Sequence, residues 1–236
     1  MDGRSRSNGP VTREKLIEAA GEIFAAKGLH GASIRDITKR AGANIASVNY
    51  HFHDKFELYT LVLRQAHEGV AAAMNRPLRA DTPEGRVREL LSAMLTSALD
   101  PSRPKWHRQL VSRELLDPTP ALDLMRDIMQ RPCERLWEVI REIRPDLSDQ
   151  QFMLTVSGVL AQCLFHVHHG HIAKRMFPSV SGPSLRTLID HISEFSLAAL
   201  RGLHARGSPG RRGRTRASVA RPSTGATRRK PPRGRG

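Results

Sequence analysis

Apolar residues recur at the three- and four-residue spacing of an amphipathic helix along nearly all of the first 204 residues of this 236-residue chain. In the first such segment they occupy positions 16, 17, 20, 23 and 24, which lie on one face of a helix. No stretch of useful length alternates apolar and polar residues as a strand would. The pattern therefore predicts an all-α fold.

Helix start and stop signals divide this region into about nine helices. Ser, Thr or Asp precedes most of the apolar stripes as an N-cap residue, and Gly28 and Gly42 offer left-handed stop positions. The predicted helices run from Thr12 to Gly28 and then over residues 33–41, 45–52, 54–74, 82–98, 106–115, 120–143, 148–165 or slightly beyond, and 184–203.

Residues 33–52 have the dimensions of a helix-turn-helix, with Gly42 in the turn. The outer face of the second helix is left with Asn, Ser, Ile and Tyr side chains, and no acid occurs between Asp36 and Asp54. Such a face suits a nucleic acid, because no acid repels the phosphates and the polar side chains can hydrogen-bond base edges. The alternative is an ordinary amphipathic helix whose polar side is merely solvated, and this pattern alone leaves both interpretations open. Residues with inward spacing are Ile34, Ile37, Ala41, Val48 and Phe52.

The charge also favours nucleic acid, but much of it lies at one end of the chain. Eleven of the 38 Lys and Arg residues lie in residues 205–236, which contain no acid, so this segment holds +11 of the net +15. Its Gly, Pro, Ser and Arg composition predicts disorder. Residues 230–235 (KPPRGR) are similar to an AT-hook core without its usual following proline. The alternatives are an architectural DNA-binding protein that uses this tail in the minor groove, or compositional drift in a disordered tail.

Residues 11–70 resemble the DNA-binding domain of TetR-family transcriptional repressors. The similarity lies in TREKLIEAA and IFAAKG of the first helix, in ASIRDITKRAGAN, and in VNYHFHDKFELY. It implies a helix-turn-helix domain over 11–71 and a ligand-binding and dimerisation domain over 72–204, which the compositionally distinct tail over 205–236 follows. By position, it implies phosphate or base contacts from Ser33, Arg35, Asn44, Ile45, Ser47, Asn49, Tyr50, His51 and Lys55.

The segments RELLDPTPALDLM and VSGVLAQCLFHVHHGH are similar to the CecR-like subgroup of that family. The resemblance implies a regulator, by family default a repressor, that binds a pseudo-palindromic operator as a homodimer and is released by a small-molecule effector. The last two long helices, about 148–168 and 184–203, would form the dimer interface. The final helix suits that role with a stripe of Leu185, Leu188, Ile189, Ile192, Ser196, Ala199 and Leu203, and with Ala198, Ala199 and Gly202 for close approach.

Cavity candidates are the large apolar, sulfur-containing and basic residues of the middle helices, for each of which packing in the core is the alternative. They are Trp106, Arg113, Met125, Met129, Trp137, Met153, Cys163 and Phe165. Four histidines within residues 166–171 raise the alternative of a metal site, but Gly170 is expected to end the helix and to leave them exposed. We expect no metal site and no cofactor.

Other classes of protein are disfavoured by missing motifs. The chain has no phosphate-binding glycine loop, no HExxH and no GxSxG, so we do not expect an enzyme. Its two cysteines show no CxxC spacing and are expected to be reduced. No apolar run approaches the ~18 residues of a membrane span. These features predict a cytoplasmic, nucleoid-associated protein.

Overall fold

The computed structural model describes residues 13–203, except for the side chain of Asn49. Over these residues the chain forms nine helices and no strand, which confirms the all-α prediction for this range. The basic tail, its AT-hook-like segment and Thr12 lie outside the described residues. The helices are α1 (Arg13–Gly31), α2 (Ile34–Ala41), α3 (Ile45–His51), α4 (Lys55–Met74), α5 (Pro83–Ala98), α6 (Lys105–Leu116), α7 (Leu122–Ile143), α8 (Asp149–Met176) and α9 (Leu185–Gly202).

Most predicted helix starts are confirmed by side-chain caps. In each, a hydroxyl or carboxylate oxygen accepts the backbone N–H three residues later, which satisfies a donor that the first helical turn leaves unpaired. The caps are Ser33 to Asp36 at 3.1 Å, Asp54 to Glu57 at 2.8 Å, Thr82 to Gly85 at 3.1 Å and Ser184 to Thr187 at 3.1 Å. Ser148 and Gln151 form a reciprocal capping box.

The two helix ends predicted at glycines have different outcomes. The first helix breaks at Gly28 as predicted, because φ 72° and ψ 177° are not helical, and a short helical segment, counted with α1, continues beyond this kink to Gly31. The predicted end of α8 is wrong, because that helix passes through Gly170 to Met176. One glycine inside a helix costs only about 1 kcal/mol relative to alanine. Val167, one turn before Gly170, is buried in the core, and such packing readily outweighs that cost.

The buried side chains form two apolar clusters that meet along α4. The first contains residues of α1 to α4 and also takes in Trp106, Leu110 and Val111 of α6. The second contains the end of α4 with α5, α7, α8 and α9. The N-terminal helices are therefore packed directly against α6, a helix from the part of the chain predicted to bind a ligand.

The contact between α1 and α6 is close because Gly21 of α1, which has no side chain, lies against the indole ring of Trp106 of α6. A Cβ atom on Gly21 would lie 2.4 Å from the Trp106 ring. Further along α6, the Arg113 guanidinium donates to the main-chain carbonyls of Ala25, at 3.1 Å, and Ala26, at 2.9 Å. The two helices are thus joined by packing and by hydrogen bonds. None of the helices over residues 13–203 has the length and apolar character required to cross a membrane.

Candidate DNA-binding surface and ligand cavity

The turn between α2 and α3 fixes the direction of α3. Gly42 is left-handed, with φ 66° and ψ 32°, and the N–H of Ala43 donates to the Thr38 carbonyl at 2.9 Å. Asn44 then caps α3, because its side-chain oxygen accepts the Ser47 N–H at 2.8 Å and the Ser47 hydroxyl at 3.1 Å. The cap leaves the Asn44 amide NH₂ group available to an external partner.

One face of α3 is buried and the opposite face is open. Val48 and Phe52 are 1% and 2% exposed, so they attach the helix to the first core. Ile45 is 50% exposed and Tyr50 is 85% exposed. The Tyr50 ring meets the half-buried His51 ring edge-on, with centroids 5.0 Å apart. The side chain of Asn49 lies outside what the structure describes.

The remaining predicted contacts surround this face. Ser33 is exposed at the start of α2, and Arg35 projects from the first turn of the same helix. Within residues 13–203, no carboxylate pairs with Arg35. Lys55 has a structural contact that the sequence did not reveal, since its Nζ donates to the Ala32 carbonyl at 3.1 Å. This bond joins the start of α4 to the turn before α2 and leaves two ammonium protons for a phosphate.

Two acids near this surface are held by bases. Asp36 pairs with Lys27 at 2.9 Å, and Glu22 pairs with Arg40. The hydrogen bond from Lys27 lowers the pKa of the Asp36 carboxyl, and that from Arg40 lowers the pKa of the Glu22 carboxyl. The carboxylates are thereby neutralised locally. The exposed face of α3 itself presents polar and basic groups and carries no acid, and the one acid of α2 is paired with Lys27.

A cavity of about 300 Å³ lies between α4, α5, α6, α7 and α8. Of the eight candidates from the sequence, Met125 and Met129 line it. The other six lie elsewhere. On α6, Trp106 is buried against α1 and Arg113 is hydrogen-bonded to α1 carbonyls. Trp137 packs on Phe152 with ring centroids 4.4 Å apart, and Cys163 is buried in the second core. Met153 and Phe165 are exposed on α8.

The polar residues of the cavity wall were missed by the sequence analysis. They are His67, Arg103, His107, Arg108, Arg126, Cys133 and His168. Burial, with smaller contributions from nearby positive charge, lowers the pKa of His67 and of His107 to about 4; the charge comes from His168 and Arg103 for His67 and from Arg103 for His107. Both imidazoles are therefore neutral at pH 7. Within residues 13–203, no group of three or more His, Cys, Asp or Glu side chains could hold a metal ion.

A compact helix-turn-helix whose second helix is exposed, attached to a helical body that contains a cavity, defines the class of helix-turn-helix transcriptional regulators. Sequence models of two families match this chain. The family described as "Bacterial regulatory proteins, tetR family" matches residues 16–62, and "HTH-type transcriptional dual regulator CecR, C-terminal domain" matches residues 83–200. The second match spans half of the chain. The chain belongs to the TetR family of transcriptional regulators, with a C-terminal domain of the CecR type.

Individual relatives are distant. The probable HTH-type regulator YttP of Bacillus subtilis (strain 168) is 29% identical over 50% of this chain and 56% of its own length. SrpR of Pseudomonas putida is 24% identical over 61% of this chain and 64% of its own. The chain therefore covers less than two thirds of the length of these relatives.

Solved structures share the fold at low identity. PfmR from Thermus thermophilus, a TetR-family regulator, superposes with a TM-score of 0.59 at 18% identity and covers 83% of this chain and 99% of its own. A TetR-like regulator from Rhodococcus sp. RHA1 gives a TM-score of 0.60 at 14% identity, over 80% of this chain and 96% of its own.

Proposed function

We propose that this protein is a homodimeric repressor that leaves its operator DNA when a small molecule occupies the cavity between α4 and α8. The observation behind the proposal is the acid-free exposed face of α3, which belongs to the same packed body as the cavity. In the dimer, two α3 helices would enter successive major grooves about 34–36 Å apart. Asn44 and Ile45 face base edges in this arrangement, and Arg35, Tyr50 and Lys55 contact phosphates.

The dimer interface is expected on the outer faces of α8 and α9. The stripe proposed from the sequence needs revision, because Leu188, Ile192 and Ser196 are buried in the chain's own core. A different stripe faces outward and combines large apolar with small residues, as a close helix–helix contact requires. Its members are Leu154, Gly158, Ala161 and Phe165 on α8 and Phe195, Ala198 and Ala199 on α9.

A route from the cavity to α3 runs through α6 and α4. His107 and Val111 line the cavity, while the Trp106 ring of the same helix packs against α1. The Tyr59 hydroxyl of α4 donates to the buried Glu114 carboxylate of α6 at 2.6 Å. A ligand that moves α6 would therefore displace both α1 and α4. It needs to favour the DNA-incompetent state by only about 1–3 kcal/mol to act as an inducer.

The first test is a gel shift on the promoter region of the protein's own gene. Arg35→Ala and Tyr50→Ala are expected to weaken binding, by roughly tenfold or more for the double variant, which corresponds to about 1.4 kcal/mol or more. Arg131→Ala is the matched control, since Arg131 is an exposed arginine on α7, paired with Glu138 and remote in sequence from the helix-turn-helix. Wild-type affinity in the double variant would exclude the assigned DNA-binding face.

A further inference from the structure

The chemistry of the cavity wall is one-sided. Its charged and titratable side chains are three histidines, three arginines and Cys133, and none of the residues that line it is Asp, Glu, Ser, Thr, Asn or Gln. Arg126 lies at an exposed edge and is already paired with Asp123 at 3.0 Å and Asp127 at 3.2 Å. The interior is consequently basic and offers a cation no counter-charge.

Three of the basic groups form a cluster where the loop between α5 and α6 meets α4. The Arg103 guanidinium donates to the carbonyls of Ala66 at 2.8 Å and of Ser97 at 3.2 Å. No carboxylate within residues 13–203 forms an ion pair with it. Its charge acts on both His67 and His107, which places the three groups in one electrostatic neighbourhood. The guanidinium is held in position by neutral carbonyls; Asp100 acts on its charge but forms no ion pair with it and does not line the cavity.

The imidazoles of this cluster have unused hydrogen-bonding atoms. Nε2 of His67 and both ring nitrogens of His107 are buried without a hydrogen-bond partner in the described chain. Buried polar atoms are normally paired, and unpaired ones require an explanation such as a ligand. A neutral imidazole N–H donates to an anion, as does a guanidinium.

The rest of the wall is apolar and adaptable. Met74, Met94, Met125 and Met129 contribute flexible thioether chains, which adjust to ligands of different outline. A volume of about 300 Å³ is at the lower limit of ordinary small-molecule sites. The exposed lining residues Leu115, Leu122 and Arg126 mark an entrance between the end of α6 and the start of α7.

We propose that the cavity binds an amphipathic organic anion, a compact apolar molecule with one carboxylate or comparable acidic group, and that Arg103, His67 and His107 bind the anionic group. This inference rests on the proposed function only in treating the cavity as the effector site. The apolar body lies among the methionines, and the absence of acids from the wall rejects organic cations of the same shape.

Three probes with one chain length and different head groups test the ligand class. Decanoate, decanol and decylamine are titrated into the full-length protein by isothermal titration calorimetry, below their aggregation concentrations. We expect decanoate to bind at least about tenfold more tightly than either of the others, because charge-assisted hydrogen bonds to a half-buried guanidinium exceed neutral ones. Equal or tighter binding of decylamine or decanol, or no binding of decanoate, overturns the proposal.

Variants then locate the head group. Arg103→Met and His107→Leu should each weaken decanoate binding about tenfold and leave decanol unchanged, as expected when charge-assisted or donated bonds are removed. His107→Leu removes no hydrogen bond present in the structure, so it remains informative if Arg103→Met fails to fold. Arg131→Met, away from the cavity, is the control and should bind decanoate like the wild type. Unchanged decanoate affinity in His107→Leu would contradict the assigned head-group site.

A separate gel shift distinguishes this inference from the proposed function. If decanoate binds with the expected selectivity but leaves operator affinity unchanged, the ligand class holds and ligand-induced release is wrong. If the operator is bound but decanoate is not selected over decylamine, the DNA-binding function holds and the ligand class is wrong.

Discussion

Two buried histidines make the stability of this protein depend on pH. His67 and His107 have pKa values lowered to about 4, chiefly by burial, against an ordinary value of 6.5. Between those limits the unfolded chain binds protons that the folded chain does not. The folded state therefore has its full stability above pH 6.5 and loses it as pH falls, by about 1.4 kcal/mol per pH unit for each histidine.

This pH dependence is measured by urea unfolding at a fixed protein concentration at pH 7.5 and pH 5.5. The free energy of unfolding of His107→Leu should fall by about 1.4 kcal/mol less than that of the wild type between these values, because one titrating group is gone. At pH 7.5 the variant should be as stable as the wild type or more so, since it buries no unpaired nitrogen. Leu110→Met, on the same helix, should keep the wild-type pH dependence; an unaltered dependence in His107→Leu would contradict the assignment.

At the scale of elements, the contact between α1 and α6 depends on the absence of a side chain at Gly21. An added Cβ would lie 2.4 to 2.7 Å from three atoms of the Trp106 ring, so Gly21→Ala must separate the two helices or move the indole. We expect a decrease of about 1–3 kcal/mol in the free energy of unfolding, as for other overpacked cores. The measurement is urea unfolding at pH 7.5.

Gly31→Ala provides the matched comparison within α1. There a new Cβ would meet only the Lys27 Cβ, at 3.5 Å, which is an ordinary contact. This variant should equal the wild type or exceed it by up to about 1 kcal/mol, because alanine restricts the unfolded chain. Equal stability of the Gly21 and Gly31 variants would show that α1 and α6 are not in tight contact.

Elements whose ends are set by local chemistry were predictable from the sequence. The starts of α2 and α4 depend on Ser33 and Asp54, each bonded to the backbone three residues later. The end of α8 was not predictable, because the effect of Gly170 is local while the packing of Val167 that opposes it comes from distant segments.

The candidate DNA-binding face was largely predictable for the same reason, because α3 and its cap are contiguous in sequence. The cavity was not. Met125 and Met129 were found on α7, but the polar cluster joins α4, the α5–α6 loop and α6 across residues 67 to 107. In the sequence, nothing about the helical positions of His67 and His107 indicates a binding site. Only the packing of the helices brings the two side chains to one wall of the cavity.

At the scale of the whole molecule, the fold separates three surfaces and connects them through its core. The proposed DNA-binding face lies on α2 and α3, the cavity is lined by α4 to α8, and the outward stripe belongs to α8 and α9. α6 contributes to both the first core and the cavity wall. This arrangement fits the proposed operator-binding dimer, since each surface stays accessible while the helices between them can transmit a displacement.

The basic tail belongs to this same scale, because we expect its eleven positive charges to add sequence-independent affinity for DNA. Deleting the chain beyond residue 204 should flatten the dependence of log affinity on log salt, by about 0.9 for each phosphate that the protein no longer neutralises, since fewer counterions are released. Affinity is measured from 50 to 300 mM salt, roughly the range over which such interactions are screened, on the promoter fragment and on an unrelated duplex. A full-length chain with every tail Lys and Arg changed to Gln separates charge from length. An unchanged slope would refute a role of the tail in DNA binding. If the tail contributes only sequence-independent affinity, its loss weakens binding to both duplexes equally and the preference for the promoter remains. Loss of that preference would instead favour the architectural alternative.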